Sequence, residues 1–304
     1  MKIVSLLPSA TEIICALGLA DDLVGVSHEC DFPPEIGGRP VLTEAKIDAS
    51  EDAASIDAAV RRLVCDGLSV YRIKMDLLAQ LQPDVIVTQH QCAVCAVSYD
   101  EVVAATQQSL RRPVRIVSLK PTRLADIFND IERVANAVGR DEAGVECTTH
   151  LHARLDAIRS RAVAVRSRPR VACIEWTDPL MAAGNWVPEL VDLGGGTYGL
   201  VPAGEQSPTL SWDDVVAYAP DVVIVMPCGF KLPQTGRELP RLTQRPEWAR
   251  LPAVRNRRAY AVDGNAYLNR PGPRIVDSAE LVAGLIQPGF FAAKIPADSY
   301  VRIE

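Results

Sequence analysis

Short apolar runs alternate along the chain with longer stretches in which apolar residues recur every three or four positions. Ile3 to Leu7, Leu23 to Val26, Asp84 to Thr88 and Val114 to Ser118 read as strands in the first half. Val171 to Ile174, Asp221 to Val225 and Arg258 to Val262 repeat the grammar in the second. Strands separated by amphipathic helical stretches predict βαβ units and parallel sheets. Helices are expected from Thr11 to Leu17, closed by Gly18, and from Met75 to Leu81, stopped before Pro83. One unit, an apolar strand leading through small residues into a helix, occurs in each half: Ile3-Val4-Ser5-Leu6-Leu7-Pro8-Ser9-Ala10-Thr11-Glu12, and Arg170 to Trp176 running on through Gly184 to Leu190. The expected fold class is therefore α/β, two lobes with mainly parallel sheets and a ligand cleft between them.

Between the halves, Leu119 to Val165 is almost free of strand patterning and carries Ile127, Ile131, Val134 and Val138 at helical spacing. Thr122 is its expected N-cap, with Asp126 and Asp130 near the positive end. The expected organisation is an N-terminal α/β lobe over 1–120, a long bridging helix over 121–139 and a C-terminal α/β lobe over 140–304. A second amphipathic helix from about Glu142 to Val163 is expected to pack on the C-terminal lobe. Phe32-Pro33-Pro34 and Arg270-Pro271-Gly272-Pro273-Arg274 read as loops, because proline lacks a donor and restricts its predecessor. Loops at strand ends are where α/β proteins place ligand contacts.

A length of 304 residues is long for one core and suits two domains. With 48% apolar and 23% charged residues the chain has the composition of a globular protein. No apolar run approaches the ~20 residues of a membrane-spanning helix. Against 32 basic residues stand 38 acidic ones, a net charge of −6, which disfavours a surface for nucleic acid and leaves small molecules and proteins as partners. The eight cysteines are scattered through a chain large enough to have its own core, so reduced thiols are expected. Met1-Lys2 leads at once into strand-like residues with no apolar signal core, which as written points to the cytoplasm.

Candidate chemistry gathers after the strands. Ser27-His28-Glu29-Cys30-Asp31 follows the second strand, and His28 with Cys30 either faces a metal or cofactor or, for Cys30, packs as a small buried hydrophobe. Thr88-Gln89-His90-Gln91-Cys92-Ala93-Val94-Cys95 follows the strand core ending at Val87. Cys92 and Cys95 have the spacing of a metal-chelating or redox pair, but no second pair completes a zinc site, so Gln89, Gln91 and Cys92 also read as ligand lining. In the second half Glu175, Trp176, Asn185 and Trp186 stand near a strand end. The two indoles either offer faces to a planar ligand or close the core. Cys228 ends another strand, and Tyr267 and Arg270 follow a third, Arg270 being suited to an acidic substituent and otherwise to solvent. Gly194-Gly195-Gly196 follows an apolar stretch and is no phosphate loop, and no Gly-x4-Gly-Lys-Ser/Thr, Gly-x-Ser-x-Gly or His-Glu-x-x-His motif occurs. His150 and His152 lie two apart on a predicted helix and make a poor metal pair.

The opening Ser5-Leu6-Leu7-Pro8-Ser9-Ala10-Thr11-Glu12 and Leu81-Gln82-Pro83-Asp84-Val85-Ile86-Val87 resemble the first lobe of the class III periplasmic substrate-binding proteins, the cobalamin- and siderophore-binding type. Leu190 to Gly196, Ala219 to Val225 and Trp248 to Val254 are similar to its second lobe. The resemblance implies two lobes joined by a long helix, a corrinoid or metal chelate as ligand, little domain closure and, for exported members, delivery to an ABC importer. With Ser9 from the opening motif added to the strand-end residues above, the expectation is a non-enzymatic binding protein for cobalamin or a related corrinoid, a metal being possible, acting as carrier or sensor. A start codon further upstream would make it a periplasmic or extracytoplasmic importer component. The alternative is an enzyme or metal-handling protein using Cys92 and Cys95 on a bound cofactor.

Overall fold

The computed structural model describes residues 1–65, 70–89, 99–291, 296 and 298–304. Its strands are β1 (Ile3–Ser5), β2 (Leu23–Gly25), β3 (Thr43–Ala45), β4 (Tyr71–Ile73), β5 (Val85–Gln89), β6 (Arg115–Leu119), β7 (Val171–Thr177), β8 (Leu180–Ala182), β9 (Val222–Val225), β10 (Ala259–Val262) and β11 (Tyr300–Arg302). The helices are α1 (Pro8–Ala16), α2 (Ala53–Cys65), α3 (Met75–Leu81), α4 (Tyr99–Ser109), α5 (Leu124–Ala137), α6 (Asp141–Ala162), α7 (Val187–Leu193), α8 (Trp212–Tyr218), α9 (Leu232–Thr243), α10 (Pro252–Arg255), α11 (Ile275–Ile286) and α12 (Pro288–Phe291). No helix of the described residues is long and apolar enough to cross a membrane.

The chain divides into two compact units, the first being 1–51, 55–121 and 125–150, the second 52–54, 122–124 and 151–304. In the first, a sheet runs in the order β2-β1-β5-β6 with every pair parallel, and β3 and β4 form a separate antiparallel pair. Ile3, Val4 and Ser5 are all buried, as are all residues of β5, because helices cover both faces of a parallel sheet. One core cluster joins Val4, Leu6 and Ile86 to Leu42, Ile73, Leu78, Val102 and Ala105, so α3, α4 and the β3–β4 pair share one face of it.

The second unit holds a sheet in the order β11-β10-β9-β7-β8, parallel in its centre with an antiparallel strand at each edge. Its core combines Ala172, Ile174, Val223, Val225, Ala259 and Ala261 with Leu242 of α9 and with Trp248 and Leu251 just ahead of α10. α11 is apolar nearly all round, and Gly194 lets α7 meet it closely: a Cβ there would stand 2.9 Å from Ala283 Cα. The glycine run at 194–196 is thus a packing feature.

Where a bridging helix was expected over 121–139, the apolar stripe is present, with Ile127, Ile131, Val134 and Val138 buried. From Ala125 onward, however, α5 belongs to the first unit. The helix that passes from one unit into the other is α6, 22 residues long, whose Gly144 and Thr148 are buried in its first half and Leu151, Leu155 and Ile158 in its second. A 3.6-residue stripe names a buried face without naming the partner it is buried against.

Candidate functional site

Because β2, β1, β5 and β6 are parallel, their C-terminal ends share one edge of the first sheet, the edge at which α/β folds collect ligand contacts. Four of the expected residues reach it: Ser9 in the first turn of α1, His28 and Cys30 in the loop after β2, and Gln89 closing β5. Gln91, Cys92 and Cys95 lie outside the described residues.

Hydroxyl groups dominate this edge. Ser5 donates to Leu7 O at 2.9 Å, and Thr11 Oγ1 stands 2.8 Å from Ser5 Oγ and 3.0 Å from Cys30 Sγ, tying the β2 loop to α1. Ser9 and Thr88 are buried, and their hydroxyl oxygens have no hydrogen-bond partner among the described residues. Such groups give up their hydration on folding and gain nothing in return. Beside them Thr43 Oγ1 receives the backbone N–H of His28 at 3.0 Å, lies 2.7 Å from His28 Nδ1 and donates to Ser27 Oγ at 3.0 Å. The Tyr71 ring packs on the imidazole with centroids 5.2 Å apart. β3 and β4, whose mixed polarity gives no strand signal in the sequence, supply Thr43 and Tyr71.

In the second unit the C-terminal ends of β7, β9 and β10 likewise share an edge. Burial raises the Glu175 carboxyl above the usual carboxylate range, opposed by hydrogen bonds from Ser207 and the Gly184 N–H. Burial also pushes up the Cys173 thiol deeper in the same strand, which makes it an inert core sulfur. Cys228 N–H donates to Glu175 O at 3.2 Å. The loop from 263 to 270 closes on the end of β9 through Gly264, where a Cβ would lie 2.2 Å from Pro227 O, and through Asn269, which donates to Met226 O and Gly264 O. Tyr267 is partly exposed on that loop. Arg270 is 6% exposed, and its guanidinium donates to Asn265 Oδ1 at 2.9 Å, so it is an internal group rather than a solvated one. Asn185 takes a positive φ of 52° and exchanges backbone hydrogen bonds with Glu205 and Gly204.

Of the two roles weighed for the tryptophans, Trp186 shows the packing one: it is buried, and its ring N–H donates to Leu268 O at 2.7 Å. Trp176 is partly exposed against Phe230, with centroids 5.1 Å apart, and its ring N–H donates at 3.2 Å to Ala53 O in the segment 52–54 that belongs with this unit. Arg241 holds the same segment through Asp52 at 2.8 Å while also pairing with Asp178 and Glu238. Sequence reasoning missed this arrangement because Asp52 and Ala53 are far from Trp176 along the chain and carry no motif.

A recess of about 660 Å³ on the first unit is lined by Arg115, Asn129, Glu132, Arg133, Asn136 and Asp141. It opens beside the start of β6 and contains none of the expected contact residues.

The family described as periplasmic binding protein matches residues 3–266. An uncharacterized ABC transporter substrate-binding lipoprotein of Bacillus subtilis (strain 168) is 23% identical over 298 residues, covering 95% of this chain and 81% of the relative. A vitamin B12-binding protein of Vibrio cholerae (strain O395) is 25% identical over 283 residues, covering 92% of this chain and 87% of the relative. Among solved structures, a periplasmic heme-binding protein from Roseiflexus sp. RS-1 in apo form superposes with a TM-score of 0.69 at 24% identity, covering 96% of this chain and 98% of that one.

Proposed function

The chain belongs to the periplasmic binding protein family, and on that premise we propose that it binds a metal-bearing macrocycle of the corrinoid or haem class as the substrate-binding component of an ABC importer. The observation that carries this reading is the match along almost the whole chain to a vitamin B12-binding protein, 92% of this chain being covered, alongside the fold shared with a heme-binding protein. The arrangement of side chains supports binding rather than turnover. The strand-end edges offer hydroxyls, an imidazole, amides and a partly exposed indole, groups suited to orienting a ligand. The proposed contacts are Ser9, His28, Cys30 and Gln89 in the first unit and Glu175, Trp176, Cys228 and Tyr267 in the second. With Trp186 buried in the core, the partly exposed Trp176 at the end of β7 is the proposed reporter of a ligand.

Equilibrium titration of the purified chain with cyanocobalamin, ferric haem and a ferric catecholate, followed by tryptophan fluorescence, tests the reading. Saturable quenching by cyanocobalamin or ferric haem at micromolar or lower concentration is expected, and quenching lost in Trp176→Phe would assign the signal. Saturation by the catecholate alone, or by none of the three, would overturn it.

A further inference from the structure

We propose that the second unit docks on an anionic lipid bilayer through the edge of its sheet opposite the candidate ligand contacts, its arginines meeting lipid phosphates while Val163 and Phe290 enter the interfacial layer. The inference goes beyond the functional reading above and does not rest on it.

The sequence concentrates positive charge where α6 gives way to β7. Arg159, Arg161, Arg166, Arg168 and Arg170 stand between Ala157 and Ile174, a stretch with no Asp or Glu in a chain whose net charge is −6. The fold enlarges the cluster. β7, β9 and β10 run parallel, so their N-terminal ends share an edge, and Arg257 and Arg258 just ahead of β10 join the arginines ahead of β7. Asp221, at the head of β9, is held below the usual carboxylate range by its hydrogen bonds from Arg170, and the Arg258 charge adds to the pull. Arg258 donates to Ile286 O at 2.5 Å, and the neighbouring Gln287 donates to Ser167 O at 2.8 Å. The α6–β7 connection, the end of α11 and the start of β10 therefore form one continuous surface.

Much of this charge is unspent. Arg168 pairs with Asp192 and Arg170 with Asp221, yet both arginine side chains stay 44% exposed, and pairs so exposed hold little energy. The exposed side chains of Arg161, Arg166 and Arg257 make no hydrogen bond or ion pair among the described residues. Of the acids nearby, Glu280 beside Arg161 is held by Arg154, and Glu304 follows β11 at the rim.

Apolar side chains stand on the same face. Val163, in the turn that ends α6, is 83% exposed, and Phe290 of α12 is 46% exposed. α12 follows Gln287, and its Phe291 lies against Ala157, Ile158 and Arg161 at the end of α6. Nucleic-acid phosphates would match the guanidiniums but offer Val163 and Phe290 nothing. A bilayer takes both, the apolar groups at the boundary of headgroups and acyl chains and the arginines at anionic headgroups. The candidate ligand contacts of this unit gather at the C-terminal ends of β7, β9 and β10, so docking by the N-terminal ends leaves them open.

The test is co-sedimentation of the full chain with phosphatidylcholine vesicles that contain either no phosphatidylglycerol or about 30% of it, at low and at high salt. Binding to the anionic vesicles alone, weakened by salt, is expected. The triple variant Arg161→Gln/Arg166→Gln/Arg257→Gln should bind about a hundredfold more weakly, at about fivefold for each arginine near the surface. Arg62→Gln/Arg111→Gln/Arg140→Gln makes the same charge change on exposed arginines of the first unit and should leave binding unchanged. Val163→Ser/Phe290→Ser should weaken it about tenfold or more through lost apolar burial in the interface. All these side chains are exposed, so each variant should keep the wild-type unfolding transition. Equal binding to neutral vesicles, equal loss in the two arginine triples, or full binding by the serine pair would overturn the docking face. So would the absence of vesicle binding, and retention of a short DNA duplex in its place would give the arginines to a nucleic acid instead.

Discussion

Asp130 on α5 is a carboxyl whose surroundings work against its charge. Burial raises its pKa to about 6, against the pull of Arg133 at 2.5 Å and the Lys120 N–H at 3.2 Å. The folded protein therefore holds this proton more tightly than the unfolded chain, whose carboxyl titrates near 3.8. Stability from this group is lost as pH rises from about 4 through 6 and stays low above that. Between pH 7 and pH 5 the wild type should regain about 1 kcal/mol, and Asp130→Asn should flatten that slope in urea unfolding. An unchanged slope would count against the shift. Ser9 makes a second case: with its hydroxyl buried and unanswered among the described residues, Ser9→Ala should stabilise the ligand-free protein by up to about 1 kcal/mol. Destabilisation by that change would show that the hydroxyl has a partner. At this scale the sequence was informative about residue type and mute about direction. His28 and Cys30 stand out as chemically capable side chains, but Thr43 and Tyr71, which meet the imidazole, come to it only through tertiary structure.

Elements were legible where their period was strong. The α3 boundaries at Met75 and Leu81 agree with the expectation, because Pro83 stops the helix and the apolar spacing is regular. The central strands were also foreseen, since a continuous apolar run is what a doubly covered parallel strand requires. β3, β4 and β11, in which polar or charged residues interrupt the apolar ones, were not, and neither was β8, three apolar residues set directly after Pro179. They matter out of proportion to their length, as β3 and β4 carry the partners of His28. Two predictions belong here. Gly264→Ala would place a Cβ 2.2 Å from Pro227 O, backbone that cannot yield cheaply, and should cost about 2 kcal/mol or more in denaturant unfolding. Leu155→Ala removes a buried anchor of α6 and should cost about 2–5 kcal/mol by the same measurement. Near-zero cost for either would mean that the packing described for these elements does not hold.

For the whole molecule, two contact-defined units with parallel-centred sheets and a family match over residues 3–266 agree with the fold anticipated from ordered motifs spread along the chain. The motif order was legible because strand, turn and helix signals are local. The path of the chain between units was not, since segments 52–54 and 122–124 join the second unit through contacts that no local pattern encodes. Ligand identity follows from the chemistry of a few side chains and is the least local property of all. The most direct measurement is isothermal calorimetry of the purified chain with aquocobalamin and ferric haem at two temperatures. One macrocycle bound per chain, with a negative heat-capacity change from apolar burial, is the predicted result; heats that do not saturate with either would contradict the account.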